Sequence, residues 1–229
     1  MSENEDTRKN IGQLYEEKFQ REYLYSGLIG YFNKMQHRYL TPKSLLNKNK
    51  VLEIGPSYEP HCKHASLSFD EYHCIDVNDS IDIKSFYKKN FNNVKFITYD
   101  GKNIPYENQK FDRINISHCL EHIEDPEKFI IEMFRVLKGN GVISIALPCD
   151  NGFLWRLGRF LLKKTFIKKK GILELDYDYQ MAKEHKNTIF QLRTILRKKF
   201  KIKEEKFLPF SIKSPDFNLY YICQITKKY

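Results

Sequence analysis

The sequence predicts an α/β fold built around a parallel sheet, and three observations carry that expectation. An apolar run, Val51-Leu52-Glu53-Ile54, breaks abruptly at Gly55-Pro56. Twenty-one residues after Gly55, a second short run, Tyr72-His73-Cys74-Ile75-Asp76, ends in a carboxylate. Three further strand-like runs then follow, each separated by a connecting segment. Strands that alternate with crossovers of this kind lie parallel and buried in one sheet.

Ahead of the first strand, Asn10 to Leu40 read as helix, with Ile11, Leu14, Tyr15, Phe19, Tyr23 and Leu24 mostly three and four apart. Gly27 and Gly30 are expected to break it. Residues 1–45 would then form a helical lid, with Tyr15 and Tyr23 reaching a ligand. After Asp76, residues 82–91 are a weak helix candidate, and Asn93 to Tyr99 form the third strand before Asp100-Gly101. Phe111 to Ser117 is the fourth strand and opens onto His118-Cys119-Leu120-Glu121-His122. Asp125-Pro126-Glu127 starts a helix, with Asp as N-cap, Pro at the first helical position and an acid in the first turn. That helix turns Phe129, Ile130, Met133, Phe134 and Leu137 inward and stops at Lys138-Gly139-Asn140-Gly141. Val142 to Leu147 is the fifth strand.

Residues 149–183 break the rhythm and read as a substrate-side insertion in one domain spanning 1–229. Its first half, Phe153 to Lys170, is aromatic, aliphatic and basic. It reads as a cap over the site, with an interfacial membrane helix as the competing reading. Glu184 to Phe200 is expected as helix, followed by an antiparallel hairpin from Lys201–Phe210 and Phe217–Thr226.

Composition narrows the function. The 229 residues are 41% hydrophobic and carry a formal charge of +10. No run approaches the ~20 apolar residues of a membrane span. The start is acidic and polar, with no secretory signal visible. Five cysteines, odd in number and without C-x-x-C spacing, suggest a reducing, cytoplasmic setting. The positive charge admits a nucleic acid, an anionic membrane or a phosphorylated acceptor as partner.

Gly55 lets the chain turn sharply and approach a ligand without a Cβ in the way. An acid about 20 residues past such a turn is placed for ribose hydroxyls. A pyrophosphate would call for a G-x-G-x-x-G turn opening a helix, but Ser57 and Pro60 stand at the later glycine positions. A ribose acid without a phosphate cradle favours a nucleoside lacking phosphates. S-adenosylmethionine fits, and Glu53 would suit its sulfonium and amino groups.

These residues resemble the class I S-adenosylmethionine-dependent methyltransferases of the type 11 kind. The motifs are Val51-Leu-Glu-Ile-Gly-Pro-Ser57, Asp76, Asp100-Gly101, Phe111-Asp112 through Ser117-His118-x-x-Glu121-His122-x-x-Asp125-Pro126, and Arg135-Val-Leu-Lys-Gly-Asn-Gly141. The resemblance implies a Rossmann-like three-layer sandwich, with a seven-stranded, mostly parallel sheet whose last strand is antiparallel. It also implies a site. Glu53, Gly55, Pro56 and Ser57 would line the methionine moiety, with Asp76 and Val77 at the ribose. Asp100 and Gly101 would border the adenine, Ser117 and His118 would lie beneath the sulfonium, and Tyr15 would cover it. Ser57 departs from the glycine of many members. Glu-Ile-Gly-Pro-Ser, His-x-x-Glu-His-Ile and Glu184-His185-x-Asn187 further resemble members encoded among surface-polysaccharide genes. The implied acceptor is an oxygen of a sugar, or of a phosphorylated or nucleotide-activated glycan precursor.

Methyl transfer from a sulfonium is an in-line displacement, so alignment dominates and a hydroxyl acceptor benefits from a base. His118 is the first candidate base, with an orienting or cofactor-packing role equally open, and His185 is the second, with a helix-start histidine of no role as its equal alternative. His122 is expected to be structural, with Glu121 hydrogen-bonding within its loop. Arg156, Arg159, Lys163 and Lys164 are candidates for an acceptor's phosphates. His61-Cys62-x-His64 matches no zinc spacing, so no metal is expected. Pro148-Cys149 follows the fifth strand rather than the fourth and is not expected to supply a nucleophile. RNA methylation and a non-catalytic cofactor-binding partner are the alternative classes.

Overall fold

The computed structural model describes residue 25 and residues 27–41, 50–64, 69–170 and 174–228. Its strands follow the hydrophobic runs: β1 (Lys50–Ile54), β2 (Glu71–Asp76), β3 (Val94–Thr98), β4 (Phe111–Ser117), β5 (Leu137–Pro148), β6 (Lys201–Leu208) and β7 (Tyr220–Thr226). They form one sheet in the order β3-β2-β1-β4-β5-β7-β6. The first five strands are mutually parallel, and β7 runs antiparallel to both β5 and β6. The order reverses direction between β1 and β4. In open α/β sheets, ligands bind at such a switch point, beyond the carboxyl ends of the strands.

Residues alternate between the two faces of each strand, and the helices divide accordingly. Leu52, Ile54, Ile114 and Ile116 pack with α3 (Pro126–Val136) and α6 (Ile189–Lys199). Val51, Tyr72 and Cys74 face the other way, against Ile83 and Tyr87 of α2 (Ile81–Asn90). On that side α1 (Gly27–Leu40) lies along β5 and β7, with Leu40 among Ala146, Tyr220 and Ile222. The result is the expected three-layer α/β arrangement.

The helix starts follow local chemistry. Asp125 accepts a hydrogen bond from Lys128 N at 3.0 Å, and Pro126 opens α3. Ser80 caps α2 through Ile83 N. Thr188 and Gln191 make a reciprocal capping box on α6.

Three expected boundaries change. Gly30 lies inside α1 instead of breaking it: a Cβ there would come within 2.2 Å of the Tyr25 backbone, so the glycine serves a close approach. The expected helix of residues 10–24, with Tyr15 and Tyr23, lies outside the described residues. Helix α3 ends at Val136 and the chain enters β5 at once, so Gly139-Asn140-Gly141 sits within the strand, where its register against β4 shifts. The helix expected from Glu184 begins at Ile189 instead: α5 (Glu174–Glu184) ends before His185, and the capping box starts α6. Residues 153–170 form a single helix, α4 (Phe153–Lys170). Among the described residues no helix is long and apolar enough to cross a membrane.

Asp125→Ala removes the cap of α3 and is expected to cost about 1 kcal/mol. Urea unfolding should show a lowered midpoint with an unchanged slope.

Candidate active site

Two polar groups meet at the carboxyl ends of β1, β2, β4 and β5. The first is built on the loop after β1. Gly55 takes φ +64°, and a Cβ added there would lie 2.7 Å from Cys119 Sγ, so only glycine lets the loop turn against the strand-four segment. Gly55 N donates to Ile75 O at 2.8 Å, which ties the turn to β2. Ser57 takes φ +47°, a left-handed conformation in which glycine would be unstrained. Two bonds hold it there: its N–H donates to Asp76 Oδ2 at 2.9 Å, and its carbonyl accepts from Tyr87 Oη at 2.7 Å. Among the described residues, a 3₁₀ turn at His61–Lys63 follows the loop.

Asp76 ends β2 and is nearly buried. Its Oδ1 accepts from Asn78 N at 3.0 Å and its Oδ2 from Ser57 N, and the Val77 amide also bears on the carboxylate, which has about four acceptor positions in all. Burial pushes its carboxyl above the ordinary range, against the opposing pull of those backbone amides. Beside it Val77 is 62% exposed, an apolar side chain offered at the sheet edge. Gly101 takes φ +77°, and a Cβ there would meet Val77 Cγ1 at 3.1 Å, so the two make one narrow wall. A carboxylate beside an apolar wall fits a ribose and adenine.

Glu53 departs from its expected place lining the ligand. It is buried, with both oxygens accepting from His61 N at 2.8 and 3.0 Å and Oε2 accepting from Tyr72 Oη at 2.6 Å. Desolvation pushes its carboxyl up to about 7, despite those donors and the buried Arg113. Its carboxylate anchors the loop from below. Asp100 is exposed and caps its own turn, accepting from Lys102 N, Asn103 N and Asn103 Nδ2. Tyr15 lies outside the described residues, as does any covering role for it.

The second group is assembled from distant segments. His118 also has a positive φ, +50°, and its N–H donates to Ala146 O at 3.0 Å. Its Nε2 lies 2.8 Å from Gln36 Oε1 of α1, an acceptor, so Nε2 carries the proton and Nδ1 the lone pair. Burial, together with the neighbouring His122 and His185, lowers its proton affinity well below the ordinary histidine range. A neutral, weakly basic ring bound to α1 is a poor proton acceptor.

His185 is held differently. Its Nδ1 lies 2.5 Å from Asp150 Oδ2, so the N–H faces the carboxylate and Nε2 keeps its lone pair. Burial raises the Asp150 carboxyl, but the His185 hydrogen bond and the charges of His185 and Arg159 outweigh it and hold it below the usual range. Arg159 Nη1 stands 3.5 Å from Asp150 Oδ1. The His122 ring meets His185 edge-on at 4.9 Å. Asn187 delivers His185 here: its N–H donates to Glu121 O at 3.0 Å and its Nδ2 to Ile123 O at 2.6 Å. Sequence reasoning missed Asp150 and Gln36; the His-x-Asn spacing of 185–187 was the available signal. Lys163 is bound to Glu174 and Asp178 at 2.8 and 2.6 Å, which removes it from the expected phosphate-binding set.

Glu121 was expected to hydrogen-bond within its loop, yet its Oε2 is buried without a partner and the nearest imidazole nitrogens are 3.8 and 3.9 Å from Oε1. Burial pushes its carboxyl up to about 7. His61 and His64 turn inward, the first within 2.7 Å of Thr41 Oγ1 and the second within 2.8 Å of Glu59 Oε2. Cys149 is buried, and burial pushes its thiol up to about 12, which suits a core cysteine better than a nucleophile. A separate cleft of about 470 Å³, lined by Asn108, Arg135, Lys199 and Phe200, opens at the opposite, amino edge of the sheet. Its lining includes no carboxylate and no histidine.

Residues 52–145 match the methyltransferase domain family. The chain is 27% identical over 140 residues to an uncharacterized protein of Methanocaldococcus jannaschii, covering 58% of this chain and 64% of that protein. It is 33% identical over 109 residues to norajmaline N-methyltransferase of Rauvolfia serpentina, covering 45% of this chain and 35% of that enzyme. The chain thus spans less than two thirds of the length of these relatives. In fold it is similar to the N-methyltransferase NodS of Bradyrhizobium japonicum, solved with S-adenosyl-L-homocysteine, with a TM-score of 0.57 at 15% identity over 86% of this chain and 88% of that one. The matched segment covers less than half of the chain. It holds the Gly55 loop, Asp76 and His118, and stops short of Asp150 and His185.

The pH dependence of stability tests the buried acid. Glu121, at about 7 folded against 4.5 unfolded, binds its proton more tightly in the folded chain. Its contribution is complete below pH 4.5 and is lost as pH rises through 7. Glu121→Gln is therefore expected to gain on the wild type by about 3 kcal/mol between those limits. Urea midpoints at fixed pH read this, and parallel profiles would contradict it.

Proposed function

We propose that this chain transfers a methyl group from S-adenosylmethionine to an acidic atom, an oxygen, of a small anionic acceptor. The His185–Asp150 pair carries the reading, because a base held in one tautomer is of use only where the attacking atom must lose a proton. When bound, S-adenosylmethionine supplies an electrophilic methyl group on a positively charged sulfur. Asp76 would accept from the ribose hydroxyls, and Val77 and Gly101 would flank the base. The Gly55–Ser57 backbone would bound the methionine end, with Pro56 in the turn and Ser117 and His118 closing the floor. Asp150 holds His185 with Nδ1–H inward and steadies the imidazolium once Nε2 has taken the acceptor's proton. Gln36 fixes His118, which orients. Arg159, already near Asp150, favours an acceptor carrying phosphate or carboxylate. Sugars and nucleotide-activated or phosphorylated glycan precursors have both the hydroxyl and the negative charge, and a cytoplasmic supply of them would suit the free thiols. They are the first acceptors to screen.

Calorimetric titration with S-adenosylhomocysteine should show binding by the wild type that Asp76→Ala weakens by more than about tenfold. With an acceptor in hand, His185→Ala should lower kcat by about 10²–10⁴-fold and leave cofactor affinity unchanged. No cofactor binding by the wild type would end the reading. An undiminished kcat in the histidine variant would remove the base.

A further inference from the structure

Helix α4 turns its apolar stripe outward. Phe153, Leu157, Phe160 and Leu161 stand at positions i, i+4, i+7 and i+8, one face of a helix, and each is exposed, Phe160 by 56% and Leu161 by 61%. A helix that only roofs a core would bury that stripe. Here Leu154 and Trp155, off the stripe, are the half-buried side. Cations accompany the apolar face. Arg156 is exposed, and Lys164 Nζ stands 5.0 Å over the Phe160 ring. Residues 153–170 hold seven Lys and Arg and no Asp or Glu.

The apolar surface continues beyond the helix. Phe153 N donates to Asp216 Oδ1 at 3.2 Å, so α4 begins against the 3₁₀ turn Pro215–Phe217. The carbonyl of Pro215 would lie 2.5 Å from a Cβ at Gly152, which makes that junction close. This connection between β6 and β7 exposes Phe210, Ile212 and Phe217. Leaving this much contiguous apolar area in water is unusual for a lone soluble surface.

We propose that α4 and the β6–β7 connection form a docking face for an anionic lipid surface. The helix lies flat, with Phe153, Leu157, Phe160 and Leu161 among the acyl chains and Arg156 and Lys164 at the lipid phosphates. The charge selects this occupant. An outward apolar stripe flanked by cations, with no carboxylate in the helix and a chain of net charge +10, is the pattern of an interfacial helix on anionic lipid. The face adjoins the reaction centre, because Arg159 of the same helix meets Asp150. If methyl transfer is the activity, as proposed above, the acceptor is an amphiphile presented at that surface.

Co-sedimentation of the full chain with vesicles tests this. Binding is expected to phosphatidylcholine vesicles containing phosphatidylglycerol, to fall with added salt, and to be weak on phosphatidylcholine alone. Phe160→Ser combined with Leu161→Ser should weaken it by more than about tenfold, while the thermal midpoint and S-adenosylhomocysteine affinity stay as in the wild type. No binding to the anionic vesicles, or binding indifferent to the double substitution, would overturn the proposal. So would a dimer in light scattering that the same substitutions dissolve, since the face would then join copies of this chain. Vesicle binding without cofactor binding would leave docking standing and remove only methyl transfer.

Discussion

A buried carboxylate governs this molecule. Glu53 sits in β1, deep enough that desolvation raises its proton affinity, and its oxygens accept from His61 N and Tyr72 Oη. Those donors offset the cost of burying an acid and fix where the chain must be at His61, beyond the strand end at Ile54. The loop between is pinned from below by Glu53 and from the side by Asp76, which accepts from Ser57 N. With both ends held, Gly55 and Ser57 have no room for ordinary backbone angles. Their left-handed conformations follow from the anchoring, and strain of this kind persists only where the surroundings over-determine it.

The two halves of the site differ in how they are assembled. The cofactor side comes from consecutive strand ends, β1, β2 and β3, so adjacency in the sheet suffices to bring Gly55, Asp76 and Gly101 together. The acceptor side draws on α1, the segment after β4, the end of β5, α4 and the break between α5 and α6. It needs specific ties, of which Asn187 to the Glu121 and Ile123 carbonyls is the firmest. Its imidazoles differ in what they can do. His118, bound to Gln36 and surrounded by other rings, is a weak base, whereas His185 has a carboxylate at its back. The same residue type thus meets an amide oxygen in one place and a carboxylate in the other.

The acceptor side also meets the part of the surface that is least like a closed globule. Helix α4 carries Arg159 toward Asp150 and exposes its apolar stripe. A neighbouring acid pair, Glu174 and Asp178, takes up Lys163, while Arg156 and Lys164 stay with the aromatic face. Charge is thereby sorted between the helix and its neighbour, which a count of basic residues does not reveal.

What the sequence determined by itself is the parallel α/β order and the nucleoside edge, because these rest on local signals: apolar runs of strand length, glycine turns and an acid at a strand end. The start of α3 was legible for the same reason, since Asp125 and Pro126 act on their own first turn. Tertiary structure alone decided the fate of groups whose environment is made by distant chain. Glu53 looked available to a ligand until Tyr72 and the His61 amide were seen to occupy it. His118 could be read as a base or as an orienting ring, and only the fold shows Gln36, 82 residues away, at its proton-bearing nitrogen. Asp150 carried no signal until the break at 185–188 brought His185 to it. The outward turn of the α4 stripe is of the same kind: periodicity shows that a helix has an apolar face, and only its neighbours decide whether that face meets protein or solvent.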